Sequence, residues 1–149
     1  MNVYEALINE TVLAKLISLS EDWEKENSSH GYRRNTPEDI IGNRIFLAEE
    51  RGEVLGYLLG KECTAAQTNS IMEAGTLYFE IEELYVIPER RSTGIGRRLY
   101  ISAENTLKSE HIQYILLSTA TRNYRRILHF YIEEMGMDFW SARLYKRIE

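Results

Sequence analysis

The clearest pattern of hydrophobic and polar positions lies between residues 76 and 107, and it predicts a strand followed by a helix. Alternate positions of the strand are apolar, at first the odd ones and then the even ones: Leu77, Phe79, Ile81, Leu84 and Val86. Because strand side chains repeat every two residues, this change of parity across Glu82 and Glu83 predicts one extra residue, a β-bulge. Pro88 ends the strand, since it has no N–H to donate to a sheet.

A basic turn with two glycines follows Pro88, and an amphipathic helix begins behind it. Apolar residues recur three or four positions apart along this helix, at Ile95, Leu99, Ala103 and Thr106 or Leu107. The free N–H groups at a helix start, with the positive end of the helix dipole, can hold phosphate oxygens. Gly94 and Gly96 let the backbone come close to such a ligand. The alternative is a helix that only needs a tight entry turn.

Periodicity elsewhere predicts a mixed α/β domain with helices flanking one sheet, in the order β-α-α-β-β-β-α-β-α-β. The first half contains a short strand at 2–6, a helix from residue 9, a short helix started by Thr36 and Pro37, and a hairpin of strands 44–50 and 53–61. The second half contains a loop at 63–75, the strand and helix above, a strand at 112–118, a helix at 124–135 and a last strand at 139–148.

Two common phosphate-binding loops do not fit the glycine turn. A P-loop needs a Lys directly after its last glycine, and Arg97 follows Gly96 here. A dinucleotide-binding turn needs a third small residue where Leu99 stands, and an acidic residue at the end of the next strand. That strand ends instead in Ser-Thr-Ala-Thr.

Length and composition indicate one domain, residues 1–149, of ordinary globular character, with 44% apolar and 28% charged residues. No apolar run approaches the roughly 18 residues of a membrane span, and the N-terminus lacks the pattern of a signal peptide. Cys63 is the single cysteine, so we expect neither an internal disulfide nor a multi-cysteine metal site. His30, His111 and His129 lack a metal-ligand spacing. These features favour a cytoplasmic protein without a metal.

The distribution of charge along the chain is more informative about ligands than the net charge. The net charge of −5, from 18 basic and 23 acidic residues, argues against broad nucleic-acid binding. Four acids precede the glycine turn and four arginines surround it: Glu73, Glu80, Glu82, Glu83, Arg90, Arg91, Arg97 and Arg98. Acidic residues on one side of the turn would suit the binding of a cationic amine, and basic residues on the other side would suit a polyphosphate cofactor. The alternative is a solvated surface of mixed charge.

The segment Val86-x-Pro88 followed by Arg91-x-x-Gly94-x-Gly96 resembles the acyl-CoA signature of the GNAT superfamily of N-acetyltransferases. The resemblance implies a GNAT-like domain with a mixed, mostly antiparallel sheet whose bulged strand splays from the next strand. Acetyl-CoA would lie in the gap, with its pantetheine arm on the bulged strand and its pyrophosphate on the turn. The positions implied for CoA are Leu84, Tyr85, Val86, Arg91, Ser92, Thr93, Gly94, Ile95, Gly96, Arg97, Asn123 and Tyr124.

Acetyl transfer to an amine asks for a base, donors for the oxyanion and an acid for the thiolate. Glu80 and Glu82 share one strand face beside the bulge, and either carboxylate could be the base, acting through water. Backbone N–H groups of Leu84 or Tyr85 would bind the oxyanion. Phe130-Tyr131 resembles the family's Phe-Tyr pair, which implies Tyr131 as the acid. Gly136 follows Tyr131 by five positions, whereas the family has four.

These expectations combine into an acetyl-CoA-dependent N-acetyltransferase that transfers directly, in a ternary complex, to a primary amine of a small, cationic molecule. A peptide or protein amine is the alternative within the same class. Two further alternatives are an acyl-CoA-binding regulatory module without catalysis and a nucleotide-phosphate binder. Neither a nucleic acid nor a membrane is expected as a partner, and a homodimer formed through the last strand stays open.

Overall fold

The computed structural model describes all 149 residues and contains one five-stranded sheet. Its elements are β1 (Asn2–Ala6), α1 (Glu10–Glu26), α2 (Pro37–Ile40), β2 (Arg44–Glu50), β3 (Glu53–Thr64), β4 (Leu77–Val86), α3 (Ile95–Ser109), β5 (Tyr114–Leu117) and α4 (Tyr124–Leu128). A 3₁₀ turn at Pro88–Arg90 follows β4, and a π-helical turn at His129–Glu134 continues α4. The strands lie in chain order, β1 to β4 antiparallel and β5 parallel to β4. The predicted mixed, mostly antiparallel sheet is confirmed.

The sheet separates two hydrophobic cores. On one face, α3 packs Ile95, Leu99 and Ala103 against the sheet, as its apolar stripe predicts. On the other face, α1 and α2 cover the sheet through Leu16, Leu19 and Ile40. Both faces are therefore covered by helices, and β4 contributes side chains to each core.

The first two helices start at polar caps, of which the sequence predicts Thr36. The side chain of Asn9 accepts a hydrogen bond from the backbone N–H of Val12 (2.9 Å) at the start of α1. At the start of α2, the carboxylate of Asp39 accepts from the backbone N–H of Thr36 (2.8 Å). These bonds satisfy backbone donors that a helix terminus otherwise leaves free.

The bulge in β4 is confirmed. Leu59 of β3 pairs with Glu83, but the next residue, Gly60, pairs with Ile81, so Glu82 is the extra residue. Gly60 permits this close approach because it has no side chain. A Cβ atom there would lie 2.5 Å from the carbonyl oxygen of Glu80 and from ring atoms of Phe79.

The strands β4 and β5 separate directly after the bulge begins. Their pairing runs from Tyr78 and Tyr114 to Ile81 and Leu117, and it stops there. The rest of β4, residues 82–86, has a strand partner only on the β3 side. The pairing therefore ends at the bulge, as the expected splay requires, and we call the unpaired side of residues 82–86 beyond the end of β5 the opening between β4 and β5.

Three predicted elements differ from the structure. The last strand predicted at 139–148 is wrong: this segment has no regular secondary structure, and Leu144, Tyr145 and Ile148 are exposed. Its alternating pattern finds no strand to pair with in this chain. The hairpin strand β3 runs three residues beyond its predicted end at 61, because β4 offers partners as far as Leu77. The helix predicted at 124–135 is divided into α4 and the π-helical turn.

No helix combines the length and the apolar character needed to cross a lipid bilayer.

Candidate active site

The glycine turn presents a row of free backbone donors. None of the six N–H groups of residues 92–97 donates a hydrogen bond to another atom of the protein. The first intrahelical bond at the start of α3 is donated by Arg98 to the carbonyl of Gly94 (3.0 Å). Gly94 has φ 89°, a left-handed conformation that glycine adopts without strain. The turn therefore combines unpaired donors with the positive end of the α3 dipole.

The arginines around the turn divide into two groups. Arg90 and Arg91 bind acids of neighbouring elements, at 2.8 Å from Glu50 and 2.7 Å from Glu26 respectively. Arg91 also donates to the carbonyl of Val86 (2.8 Å), so its side chain fastens the turn to β4 and α1. Arg97 forms no ion pair with the protein and keeps its charge beside the free N–H groups.

The start of α4 lies against the glycine turn. The guanidinium group of Arg126 donates a hydrogen bond to the hydroxyl of Ser92. Asn123 caps α4 by position without a side-chain bond, and Tyr124 is exposed. This contact brings α4, the helix that begins at Tyr124, next to the predicted CoA residue Ser92 of the turn. Leu84, Tyr85 and Val86 precede the turn on the part of β4 that has left β5.

An acidic cleft of about 410 Å³ lies beside the bulge, at the end of the β4–β5 pairing. Its lining consists of Lys61, Cys63, Tyr78, Glu80, Ile81, Glu82 and Ser118. Since Phe79 and Ile81 point into the α3 core, Glu80 lies on the opposite face of the sheet, toward α1 and α2. Both predicted base candidates therefore share one cleft.

The two carboxylates of the cleft have different surroundings. Glu82 is bound to Lys61 (3.1 Å) and accepts a hydrogen bond from Asn43 (3.3 Å). Glu80 has no hydrogen-bonded partner and is half-buried. Desolvation raises the pKa of Glu80, the charge of Glu82 raises it further, and Lys61 acts against both. Glu80 is therefore the carboxylate of the cleft that combines a raised pKa with the absence of a bonded partner.

Tyr131 lies on the other face of the sheet, in the π-helical turn. It packs against the α3 core, with its ring centroid 6.3 Å from that of Tyr100. Burial raises its pKa, and its hydroxyl has no hydrogen-bond partner in the protein. The N–H of Met135 donates to the carbonyl of Phe130, five residues earlier (2.9 Å). This wider turn accommodates the additional residue between Tyr131 and Gly136.

Glu83 is a site residue that the sequence reasoning missed. Its Oε1 atom accepts hydrogen bonds from Tyr57 (2.6 Å), Asn35 (2.9 Å) and Tyr32 (3.3 Å). Burial raises the pKa of Glu83, and these three donors counteract the shift. The parity change contained the signal, because the extra residue Glu82 moves Glu83 away from the face of Ile81 and onto the face of buried Tyr85 and of Glu80.

The family comparison agrees with this architecture. The sequence model of the family described as "Acetyltransferase (GNAT) family" matches residues 13–137 of this chain. The chain therefore belongs to the GNAT acetyltransferase family. No curated protein sequence gives a significant match. No group of three or more His, Cys, Asp or Glu residues forms a candidate metal site.

Solved structures with low sequence identity share the fold. A mutant of the BH1408 protein from Bacillus halodurans is 20% identical, with a TM-score of 0.76 and full coverage of both chains. The aminoglycoside N-acetyltransferase AAC(6')-Iy in complex with CoA is 14% identical, with a TM-score of 0.68 and 99% coverage of each chain. A ribosomal-protein-alanine N-acetyltransferase from Brucella melitensis is 13% identical, with a TM-score of 0.69, covering 99% of this chain and 100% of its own.

Proposed function

We propose that this protein is an acetyl-CoA-dependent N-acetyltransferase that acts on a primary amine of a small, cationic molecule. The transfer is direct, in a ternary complex of enzyme, acetyl-CoA and amine. The proposal rests above all on the six free N–H groups of residues 92–97, which lie beside the opening between β4 and β5. A diphosphate supplies the acceptors that this row of donors lacks.

The cofactor has a continuous path in this proposal. Its diphosphate binds the N–H groups of the turn, with Arg97 and Arg126 adding positive charge. Its pantetheine arm follows residues 84–86, whose edge toward β5 has no strand partner. The thioester then reaches the bulge, where the backbone N–H of Leu84 or Tyr85 stabilises the oxyanion. The CoA complex of AAC(6')-Iy, a protein of the same fold, supports this choice of cosubstrate.

The acidic cleft supports a cationic acceptor. Glu80 takes the proton from the ammonium group, directly or through a water molecule, and the neutral amine attacks the thioester carbonyl. Glu82, which forms an ion pair with Lys61, adds negative charge to the same cleft. The tetrahedral intermediate collapses and expels the CoA thiolate, Tyr131 donates its hydroxyl proton to that sulfur, and the proton that the amine nitrogen loses on forming the amide restores the Tyr131 hydroxyl through water. The cytoplasm, favoured by the sequence, remains the proposed compartment.

Binding and turnover test the proposal separately. Titration calorimetry is expected to show binding of CoA and acetyl-CoA and no comparable binding of ATP. Arg97→Glu is expected to weaken CoA binding by at least about tenfold, or 1.4 kcal/mol. Lys108→Glu is the matched control, because it changes the net charge equally in the last turn of the same helix. Binding of ATP alone would overturn the assignment.

Turnover is measured as thiol release with a panel of amines. The panel contains polyamines, aminoglycosides and a peptide with a free α-amino group, so that it spans the acceptors named for proteins of the same fold. We expect turnover with a small cationic amine. Tight CoA binding without turnover on any amine, in wild type and Glu80→Gln alike, would instead favour a regulatory acyl-CoA-binding module.

A further inference from the structure

The connection between α1 and α2 crosses the opening between β4 and β5. We call residues 28–35 of this connection the strap. At one end, two backbone hydrogen bonds of 2.8 Å hold the strap. The backbone N–H of His30 donates to the carbonyl of Ala120, and the backbone N–H of Arg122 donates to the carbonyl of Ser28. These partners lie shortly after Leu117, the last residue of β5 that pairs with β4. The strap is therefore attached to the chain just beyond the β5 side of the opening.

The other end of the strap is attached to the bulge of β4 through Glu83. Tyr32 and Asn35 both donate to Oε1 of Glu83, at 3.3 Å and 2.9 Å. Glu83 lies two residues beyond Ile81, the last β4 residue that pairs with β5. The two attachments thus bracket the opening, and the strap spans it on the face that carries α1 and α2.

A closed polar network holds this second attachment. The hydroxyl of fully buried Ser20 accepts from the N–H of Asn35 and bonds to the hydroxyl of Tyr32, at 2.8 Å and 2.7 Å. Tyr57 completes the set as a third donor to Glu83. Burial raises the pKa of both tyrosines, so their hydroxyls stay protonated and can donate. All donors to Glu83 are neutral, and no Lys or Arg forms an ion pair with it.

A half-buried carboxylate without a paired cation is energetically costly at this position, because desolvation penalises the charged form. An apolar side chain would stabilise the surrounding core more, but it would release the strap. The cost is consistent with a functional role for the acceptor. Only Oε1 is used by the network, and every buried side-chain oxygen or nitrogen atom has a partner, so the unbonded Oε2 retains contact with the surface.

We propose that Glu83 is a positioning residue, which holds the strap across the β4–β5 opening and thereby forms the wall of the acceptor site next to Glu80. This inference rests on the proposed function for its catalytic consequence, but the attachment itself does not depend on any activity. Release of the strap would leave the CoA turn intact and enlarge the acceptor side. The acceptor amine would then bind more weakly, while acetyl-CoA binding would stay the same.

Fluorescence tests the attachment without a substrate. Trp23 stacks on Tyr32 of the strap, with ring centroids 4.3 Å apart, and it becomes the only tryptophan in a Trp140→Phe background. We expect Glu83→Leu to shift the Trp23 emission to longer wavelength and to increase acrylamide quenching. Glu83→Gln, which keeps an acceptor oxygen, should remain close to the parent protein.

A second variant tests the attachment even if Glu83→Leu does not fold. The double change Tyr32→Phe and Asn35→Ala removes both strap donors and leaves Glu83 in place, so it should reproduce the increase in quenching. Tyr57→Phe is the matched control, because it removes a donor from Glu83 that does not belong to the strap. Unchanged quenching in the double variant, in protein that keeps its circular dichroism, would overturn the attachment.

Steady-state kinetics tests the positioning role. With an amine that the wild type accepts, the double variant is expected to raise KM for the amine by about tenfold, equivalent to 1.4 kcal/mol, and to leave KM for acetyl-CoA unchanged. Increased quenching with an unchanged amine KM would overturn the positioning role. Absence of turnover in the wild type would count against the proposed function, and the fluorescence result would still decide whether Glu83 holds the strap.

Discussion

At the scale of single residues, two neighbouring carboxylates differ because their surroundings differ. Glu82 forms an ion pair with Lys61, whereas Glu80 is partly desolvated and has no hydrogen-bond or ion-pair partner. Sequence parity placed both on one strand face and left the choice between them open. Lys61 lies opposite Glu80 in the strand register but forms its ion pair with Glu82, which supports Glu80 as the proposed base, and a single strand reveals neither contact.

This difference predicts distinct kinetic effects of the two glutamates. Glu80→Gln is expected to lower kcat/KM by between about 10² and 10⁴, the usual contribution of general base catalysis. Glu82→Gln removes a paired charge from the same cleft and serves as the matched control, with a smaller loss. Equal losses in both variants, measured by thiol release with the best amine, would contradict the assignment of the base.

The pH dependence provides an independent check on Glu80. The pKa of Glu80 is raised, so the base is protonated and inactive at acidic pH, and the rate rises as pH increases through that raised pKa. The acid limb of kcat/KM should therefore lie above the ordinary glutamate value of about 4.3. It should disappear in Glu80→Gln and persist in Glu82→Gln. A limb that is identical in both variants would assign it to another group.

At the scale of elements, glycine positions decide how closely β3 and β4 can approach. Gly60→Ala places a Cβ atom 2.5 Å from the Glu80 carbonyl, at the bulge, so the strands must move apart. Overpacking of this kind costs about 1–3 kcal/mol, and urea denaturation should show a loss in that range or above. Gly96→Ala is the control, since its Cβ would have no contact closer than 3.7 Å. Equal stability of the two variants would mean that the bulge does not need Gly60.

The two glycines of the turn differ in what they require, because only Gly94 has a backbone conformation that disfavours a side chain. Gly94 has φ 89° and open space around its Cα, whereas Gly96 is the second residue of α3. Gly94→Ala is therefore expected to destabilise the protein by about 1–2 kcal/mol, the cost of the left-handed region for a residue with a Cβ. Gly96→Ala should be neutral or slightly stabilising, because alanine is the better helix former. Thermal unfolding of both variants checks the expected difference.

Most elements, but not all of their details, could be predicted from the chain. The bounds of β2 and the cap of α2 depend on neighbouring residues, so local patterns were sufficient. The bulge was predictable because parity changes within one strand. The π-helical turn was not predicted, since a helix with one additional residue keeps a similar apolar spacing. The role of Glu83 was missed because its donors come from β3 and from the strap, distant in sequence.

At the scale of the whole molecule, one edge of the sheet and the C-terminal segment both lack a strand partner. β5 is the last strand of the sheet, so its outer edge carries free backbone groups. Residues 138–149 have no regular structure, and Leu144 and Ile148 are 94% and 89% exposed. Trp140, Leu144 and Ile148 all occupy even positions, which would place them on one face of a strand.

We therefore expect the C-terminal segment of a second copy to add to the β5 edge, and a symmetric dimer to result. Sedimentation velocity should show a concentration-dependent dimer for the wild type. The double change Leu144→Asp and Ile148→Asp should give a monomer with unchanged circular dichroism, because it places two charges on the face that would be buried. Arg143→Gln with Arg147→Gln, on the alternate positions, is the control and should remain dimeric. A wild-type protein that stays monomeric at the highest soluble concentration would contradict this dimer. Turnover of the monomeric double variant is a separate measurement, and full turnover would show that the active site is complete within one chain.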